Sequence, residues 1–291
     1  MGEYSNFKKE IKKYKTIAIC SNDAGGAEVL SSMIQRVKKK YFFILSGPAI
    51  KIFKKKIKNI KINSISKVIN KSEILITSTS LKSNMENKAI KFFQKKNKIS
   101  ISVLDHWTRY KQRFIYKNEF IKPDFIWCLD IDSFKIAKKN FYPPKIKILK
   151  NYYFESIKDF KKKNKKINKN GLIFVSDNYD DFYLTKGKDI YLFKKLFKYI
   201  NSRNVKIKKI GFKKHPSESE AKYKILTKKY SQIIYEKSSD LFKILSKYKI
   251  IAGHQSMALV VGKLLGLKTI NIKLTAKEKN FIPKKYLDVS I

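Results

Sequence analysis

The sequence predicts an α/β protein built from two domains. Short apolar runs of strand character alternate with amphipathic runs of helical period along most of the chain, the signature of parallel strands joined by helical crossovers. That rhythm weakens over residues 141–170, which hold Pro143-Pro144 and a lysine/asparagine run, and restarts at Gly171. The length of 291 residues suits two domains of ordinary size. The expected division is an N-terminal α/β domain over 1–150, a linker over 151–170 and a C-terminal α/β domain over 171–291.

The elements follow in order. TIAIC (16–20) reads as a strand, and SNDAGGA (21–27) as a glycine-containing turn leading into a helix that runs to about Lys39. YFFILSG (41–47), EILITST (73–79), ISISVLD (99–105) and DFIWCLD (124–130) read as further strands. NMENKAIKFFQKK (84–96) and IDSFKIAKKN (131–140) are the helix-like runs between and after them. In the second half, the strands are GLIFVSD (171–177), VKIKKIGF (205–212), SQIIYE (231–236), YKIIAG (248–253) and KTINI (268–272). The helices are IYLFKKLFKYI (190–200) and runs near 217–229, 239–247 and 256–265.

Composition bounds the function. Hydrophobic residues make up 43% of the chain, enough for a real core and against disorder. No apolar run approaches the roughly 20 residues needed to span a bilayer, and MGEYSNFKKEIKKYK lacks the apolar centre of a secretory signal. The formal net charge of +44 suggests polyanions. Yet of 67 basic residues four are arginine (Arg36, Arg109, Arg113 and Arg203), leaving 63 lysines dispersed over nearly every polar position. Base-reading proteins favour bidentate arginine, so specific nucleic-acid binding is not expected. Salt-sensitive peripheral contact with an anionic membrane is. Cys20 and Cys128 form no CxxC or ligand spacing, so buried reduced thiols, a cytoplasmic location and no structural metal are expected.

The candidate site residues sit where strands end, the place where open α/β sheets bind ligands beside helix N-termini. His215, with Pro216 and Ser217, follows the strand ending at 212; Pro216 fixes the backbone as it leaves the sheet. His254, Gln255 and Ser256 follow the strand ending at 253. These two corners suit the phosphates of a nucleotide. In the first half, Asp23 lies in the turn with Gly25 and Gly26, which let backbone approach a ligand or a helix pack closely. Asp23 serves equally as a helix N-cap. His106 ends another strand and is the competing candidate for the base, with Asp105 placed to orient its ring. Asp130-Ile131-Asp132 resembles a metal-chelating DxD, but Asp132 is better read as the N-cap of the next helix. Asp177, Asp180 and Asp181 read as a solvated loop.

Taken together, SNDAGGAEVL, LDHWTRYKQRF, GLIFVSDNY, KKHPSE and AGHQSMALVVGKLLGLKTINI resemble, in order, the bacterial GT-B-like glycosyltransferases of surface-polysaccharide assembly that carry a His-Pro motif. These include sialyl- and polysialyltransferases, capsule Kdo transferases and CDP-glycerol polymer transferases. The resemblance implies two Rossmann-like domains facing a cleft. It implies a nucleotide-sugar donor held by the second domain, with His215, Ser256 and Gln255 on the phosphates. It also implies a glycan or lipid-linked acceptor activated by an acidic residue of the first domain, matched in position by Asp23. Many such enzymes hold the donor ribose with a glutamate in the last helix. SMALVVGKLLG has no acid there, which points toward a cytidine donor. The implied reaction is an inverting transfer needing neither metal nor cofactor.

Two alternatives stay open. A GT-B-fold 2-epimerase would act on a nucleotide sugar without an acceptor, and would need additional acid/base residues. A non-catalytic polyanion binder would rest on charge alone.

Overall fold

A computed structural model of the protein describes residues 4–141, 145–164, 170–176, 188–203, 207, 209–216, 218, 224, 228, 230 and 233–291. The chain divides into two compact units, Met1–Tyr153 and Phe154–Ile291. Each unit carries its own six-stranded parallel sheet.

In the first unit a one-turn helix α1 (Phe7–Glu10) precedes β1 (Thr16–Ser21), α2 (Ala24–Ile34), β2 (Lys40–Leu45), α3 (Gly47–Lys56), α4 (Ile65–Ile69) and β3 (Ile74–Thr77). Then come α5 (Met85–Gln94), β4 (Ile99–Leu104), a short antiparallel hairpin of β5 (Ile115–Tyr116) and β6 (Glu119–Phe120), β7 (Phe125–Cys128), α6 (Ile131–Asn140) and β8 (Lys145–Ile148). The strand order is β2-β1-β3-β4-β7-β8. The inner strands are β-branched-rich and buried on both faces, as a sheet covered by helices on each side requires. Because β1 leads outward to β2 and the chain then returns to β3, the order reverses between β1 and β3. That switch point opens a crevice at the carboxyl ends of the strands.

In the second unit β9 (Leu172–Val175), α8 (Lys188–Ser202), β10 (Ile210–Lys213) and β11 (Ile233–Tyr235) build outward in one direction. The chain then returns through α9 (Leu241–Leu245) to β12 (Ile250–Gly253), α10 (Met257–Leu265), β13 (Lys268–Asn271) and β14 (Val289–Ser290). The order β11-β10-β9-β12-β13-β14 reverses between β9 and β12. Each sheet buries its own apolar cluster. Phe93, Leu104 and Ile126 lie in the first, and Phe174, Phe193 and Phe212 in the second. Truncating a fully buried phenylalanine such as Phe93 or Phe193 to alanine removes about 3–5 kcal/mol.

The alternating α/β reading holds, with local corrections. The helix after the first turn stops at Ile34 rather than near Lys39, and α3, β8 and β14 were not anticipated. The stretch expected as a linker contains the helix α7 (Tyr152–Lys163). Its lysines occupy the solvent face, while Ile157 is fully buried and Phe160 packs on Phe242 with ring centroids 5.6 Å apart. A charge-rich composition concealed that apolar stripe. The N-cap of α6 is Asp130, not Asp132: its carboxylate accepts from Ser133 N at 2.7 Å in a capping box and also receives the Trp107 indole N–H. Both cysteines are buried free thiols, and burial raises both above the usual thiol range. No described helix is long and apolar enough to cross a membrane.

Candidate functional site

At the end of β1 the chain turns through Asn22 and Asp23 into α2. Asp23 has the extended backbone of an N-cap (φ −77°, ψ 153°), but its side chain does not cap the helix. Its Oδ1 instead accepts from Asn22 Nδ2 at 2.8 Å, and the Asn22 amide is oriented by Ser46 Oγ, which donates to its Oδ1 at 2.7 Å. The Asp23 carboxylate is therefore left at the partly exposed mouth of the switch point.

The two glycines that follow are demanded by close approach. A β-carbon on Gly26 would stand 2.3 Å from Ser78 Cβ, so α2 lies directly against the end of β3. A β-carbon on Gly25 would stand 2.6 Å from Asp105 Oδ2. Asp105 follows β4, and β1 and β4 flank β3. Their ends lie two strand spacings apart, about 10 Å. The glycines let the Asp23 turn lean toward Asp105 across that gap.

A third carboxylate lies behind. Glu86, in the first turn of α5, is 2% exposed. Its Oε1 accepts from Asn22 N at 2.8 Å and Ser78 Oγ at 3.1 Å, while its Oε2 has no hydrogen-bond partner among the described residues. Burial pushes its pKa up to about 7; hydrogen bonds from backbone and from Ser78 oppose the rise, and the Asp23 charge adds to it. Asp105 is raised too, first by burial, then by Asp23, against the pull of Arg113. Arg113 is itself buried, donating from Nη1 to Thr79 Oγ1 at 3.2 Å and from Nε to Thr108 O at 3.2 Å.

His106 is held differently from expectation. Its Nδ1 accepts the Trp107 backbone N–H at 3.0 Å, so Asp105 does not orient the ring. An accepting Nδ1 puts the ring proton on Nε2. Burial and the Arg113 charge lower its pKa to about 3. His106 thus presents a neutral ring with its proton on Nε2.

In the second unit Lys213, Val175 and Gly253 lie side by side in register, so the residues beyond them emerge on one edge. His215, partly exposed, sits in a turn closed by Glu218. Glu218 Oε2 accepts from His215 N at 2.9 Å and from Ser176 Oγ at 2.8 Å, and Glu218 N donates back to His215 O at 3.0 Å. Pro216 is exposed. Ser217 lies outside the described residues, as do Asp177, Asp180 and Asp181.

His254 is 2% exposed and pairs through Nε2 with Glu278 Oε1 at 2.7 Å. Gln255 adopts a left-handed backbone (φ +48°). Its side chain bonds Lys279 O at 2.8 Å and Phe281 N at 2.9 Å. These two side chains fasten segment 274–281 to the end of β12. Ser256 caps α10, accepting from Ala258 N at 3.3 Å. Helix α10 is acid-free, and its Leu259, Val260 and Val261 are buried.

The sheets thus bring Asp23, Gly25, Gly26, Asp105 and His106 together in the first unit, and line up His215 and His254–Ser256 at one strand edge of the second. Glu86 and Arg113 were not singled out from sequence. Glu86 carried a legible signal, one acid near the start of a helix whose other buried positions are mostly apolar. Arg113 was one of four arginines among 67 basic residues. Among the described residues no group of three His, Cys, Asp or Glu side chains could hold a metal ion.

No protein-family model matches the sequence. No curated protein is similar to it in sequence. Solved structures are similar in fold. The UDP-GlcNAc 2-epimerase of Methanocaldococcus jannaschii, in complex with UDP-GlcNAc and UDP, matches with a TM-score of 0.69 at 11% identity, over 95% of this chain and 88% of that one. MnaA of S. aureus, solved with UDP, matches at 0.64 and 9% identity, over 89% and 80%. The Neisseria meningitidis UDP-GlcNAc 2-epimerase bound to UDP-GlcNAc matches at 0.63 and 9%, over 93% and 85%. At such identities the likeness is one of fold: the chain has a GT-B-like fold of two parallel α/β sheets.

Proposed function

We propose that the protein is a nucleotide-sugar-transforming enzyme of the 2-epimerase type, with acid/base groups at the strand ends of the first unit. The observation that carries this reading is the second carboxylate, Asp105, held beside Asp23 where Gly25 leaves room for it. Inverting C2 of a sugar breaks a C–H bond on one face and remakes it on the other. One group must take a proton and another must return one. An unactivated C2–H is not acidic, so its electron pair is released most readily into C1 as the nucleotide leaves. Asp23, not engaged in capping, suits the base, and Asp105, raised by burial, suits the acid. His106 Nε2–H and the Arg113 charge add stabilisation for developing negative charge. UDP-linked sugars are the first substrates to try, because the fold relatives were solved with UDP or UDP-GlcNAc.

Glycosyl transfer is the second reading. It needs only one base acting on an acceptor hydroxyl, and Asp23 alone suffices. Incubating the protein in D2O with UDP-, CMP-, CDP- and GDP-linked sugars and no acceptor separates the two. Deuterium at C2 with appearance of the epimer supports the first. A donor untouched alone but consumed with a glycan acceptor overturns it in favour of the second.

A further inference from the structure

Asn22 ties two carboxylates together: its backbone N–H donates to Glu86 Oε1 and its side-chain amide to Asp23 Oδ1, both at 2.8 Å. Glu86 is enclosed by β1, β3 and the α2 turn, and its second oxygen meets no donor among the described residues. An ionised carboxylate in that position leaves a charged oxygen desolvated and unpaired, and a second negative charge stands close by at Asp23. Among the described residues the other titratable group coupled to Glu86 is the buried Cys20 thiol on β1. Arg113 stands one residue along, where Asn87 Nδ2 bonds its carbonyl at 2.9 Å, but its charge is directed to Asp105. Among the described residues no cation is one of the main contributors to its titration.

We infer that Asp23 and Glu86 form one electrostatically coupled pair joined through Asn22, in which Glu86 is the positioning residue that sets how readily Asp23 accepts a proton. The inference rests on the reading of Asp23 as the base. Below about pH 7 Glu86 holds its proton. When Asp23 takes a proton from substrate the pair becomes neutral, with the bonding electrons of the broken C–H or O–H left on the substrate. Ionising Glu86 raises the basicity of Asp23 by adding a like charge. Glu86 thereby couples turnover to pH without touching substrate.

The test is a carboxyl carbon NMR titration of the whole protein labelled at Asp and Glu side chains, run beside pH–rate profiles. One glutamate signal with a midpoint of about 7 is expected, absent from Glu86→Gln. In Asp23→Asn that midpoint falls by about half a unit as the like charge disappears. In Glu86→Gln the corresponding limb of the rate profile is lost. A Glu86 signal titrating below about 5, near the ordinary carboxylate range, overturns the inference, as does a midpoint that ignores Asp23→Asn. The Asp23→Asn arm decides the matter if Glu86→Gln fails to fold. A titration as described in a protein that turns over no nucleotide sugar leaves the pair standing and removes the proposed function instead.

Discussion

Gly25 and Asp105, 80 residues apart in sequence, are in such close contact that a β-carbon on Gly25 would stand 2.6 Å from Asp105 Oδ2. The nearest atom is the far end of a rotatable side chain, so Gly25→Ala is expected to fold and to displace the carboxylate. Gly26→Ala meets Ser78 Cβ at 2.3 Å, where neither helix nor strand end yields cheaply. Gly25→Ala should lose activity with little change in stability, whereas Gly26→Ala should lose about 1–3 kcal/mol to overpacking. Paired denaturant melts and turnover assays check both.

Asp23→Asn should keep nucleotide affinity and lower turnover by roughly a hundredfold or more, the scale of a lost general base. His106→Ala should cost less, about one hydrogen bond to developing charge, because the ring is a neutral donor. Turnover should show no ionisation of His106 between pH 5 and 8, consistent with a pKa near 3. An active Asp23→Asn beside an inactive, nucleotide-binding His106→Ala would transfer the base to His106.

Stability should respond to pH with opposite signs from two groups. Glu86 is raised in the fold, so its contribution is complete below its unfolded value near 4.5 and is lost as pH rises through about 7. His106 is lowered, so its contribution is complete above about 6.5 and is lost as pH falls toward 3. Glu86→Gln should therefore gain stability relative to the parent between pH 5 and 8, by an amount on the order of 3 kcal/mol at the upper end. Thermal melts across that range measure it.

In the second unit, His215→Ala should weaken nucleotide binding by about 1.5–3 kcal/mol, the loss of a charge-assisted contact. Gln255→Ala should act mainly on stability, by about 1–3 kcal/mol, because it strands Lys279 O and Phe281 N. Gln255→Gly should be milder than Gln255→Ala, since it relieves the left-handed backbone. Nucleotide titrations and urea midpoints distinguish the two residues.

The charge of +44 should bind anionic vesicles and nucleic acid alike at low salt. Dispersed lysine contacts are sequence-independent, so binding should fall by orders of magnitude between about 50 and 200 mM salt. Vesicle co-sedimentation at both salt concentrations tests this; sequence-selective binding that survives the higher one would contradict it.

The alternation of apolar strands and amphipathic helices was enough to read two parallel α/β units, because a buried parallel strand and its crossover helix each leave a local pattern. TIAIC and IIAG are short, β-branched or small, and sheltered on both faces. The strand-end placement of the histidines and of Asp23 was legible for the same reason, since it follows from where the strands stop. Helix α7 was hidden because its lysines mask a narrow apolar stripe. Sequence also did not distinguish a side chain left open at a strand end from one that ties backbone. Asp23 and Ser256 both follow strands and precede helices, yet Ser256 caps its helix and Asp23 does not. Gln255 and His254 read as phosphate contacts, while the fold has them fastening a segment more than 20 residues away. Glu86 and Asp105 acquire their altered protonation only from what surrounds them. Desolvation and neighbouring charge depend on distances between residues 60 to 80 positions apart in the chain, and those distances exist only once β1, β3 and β4 have been laid side by side.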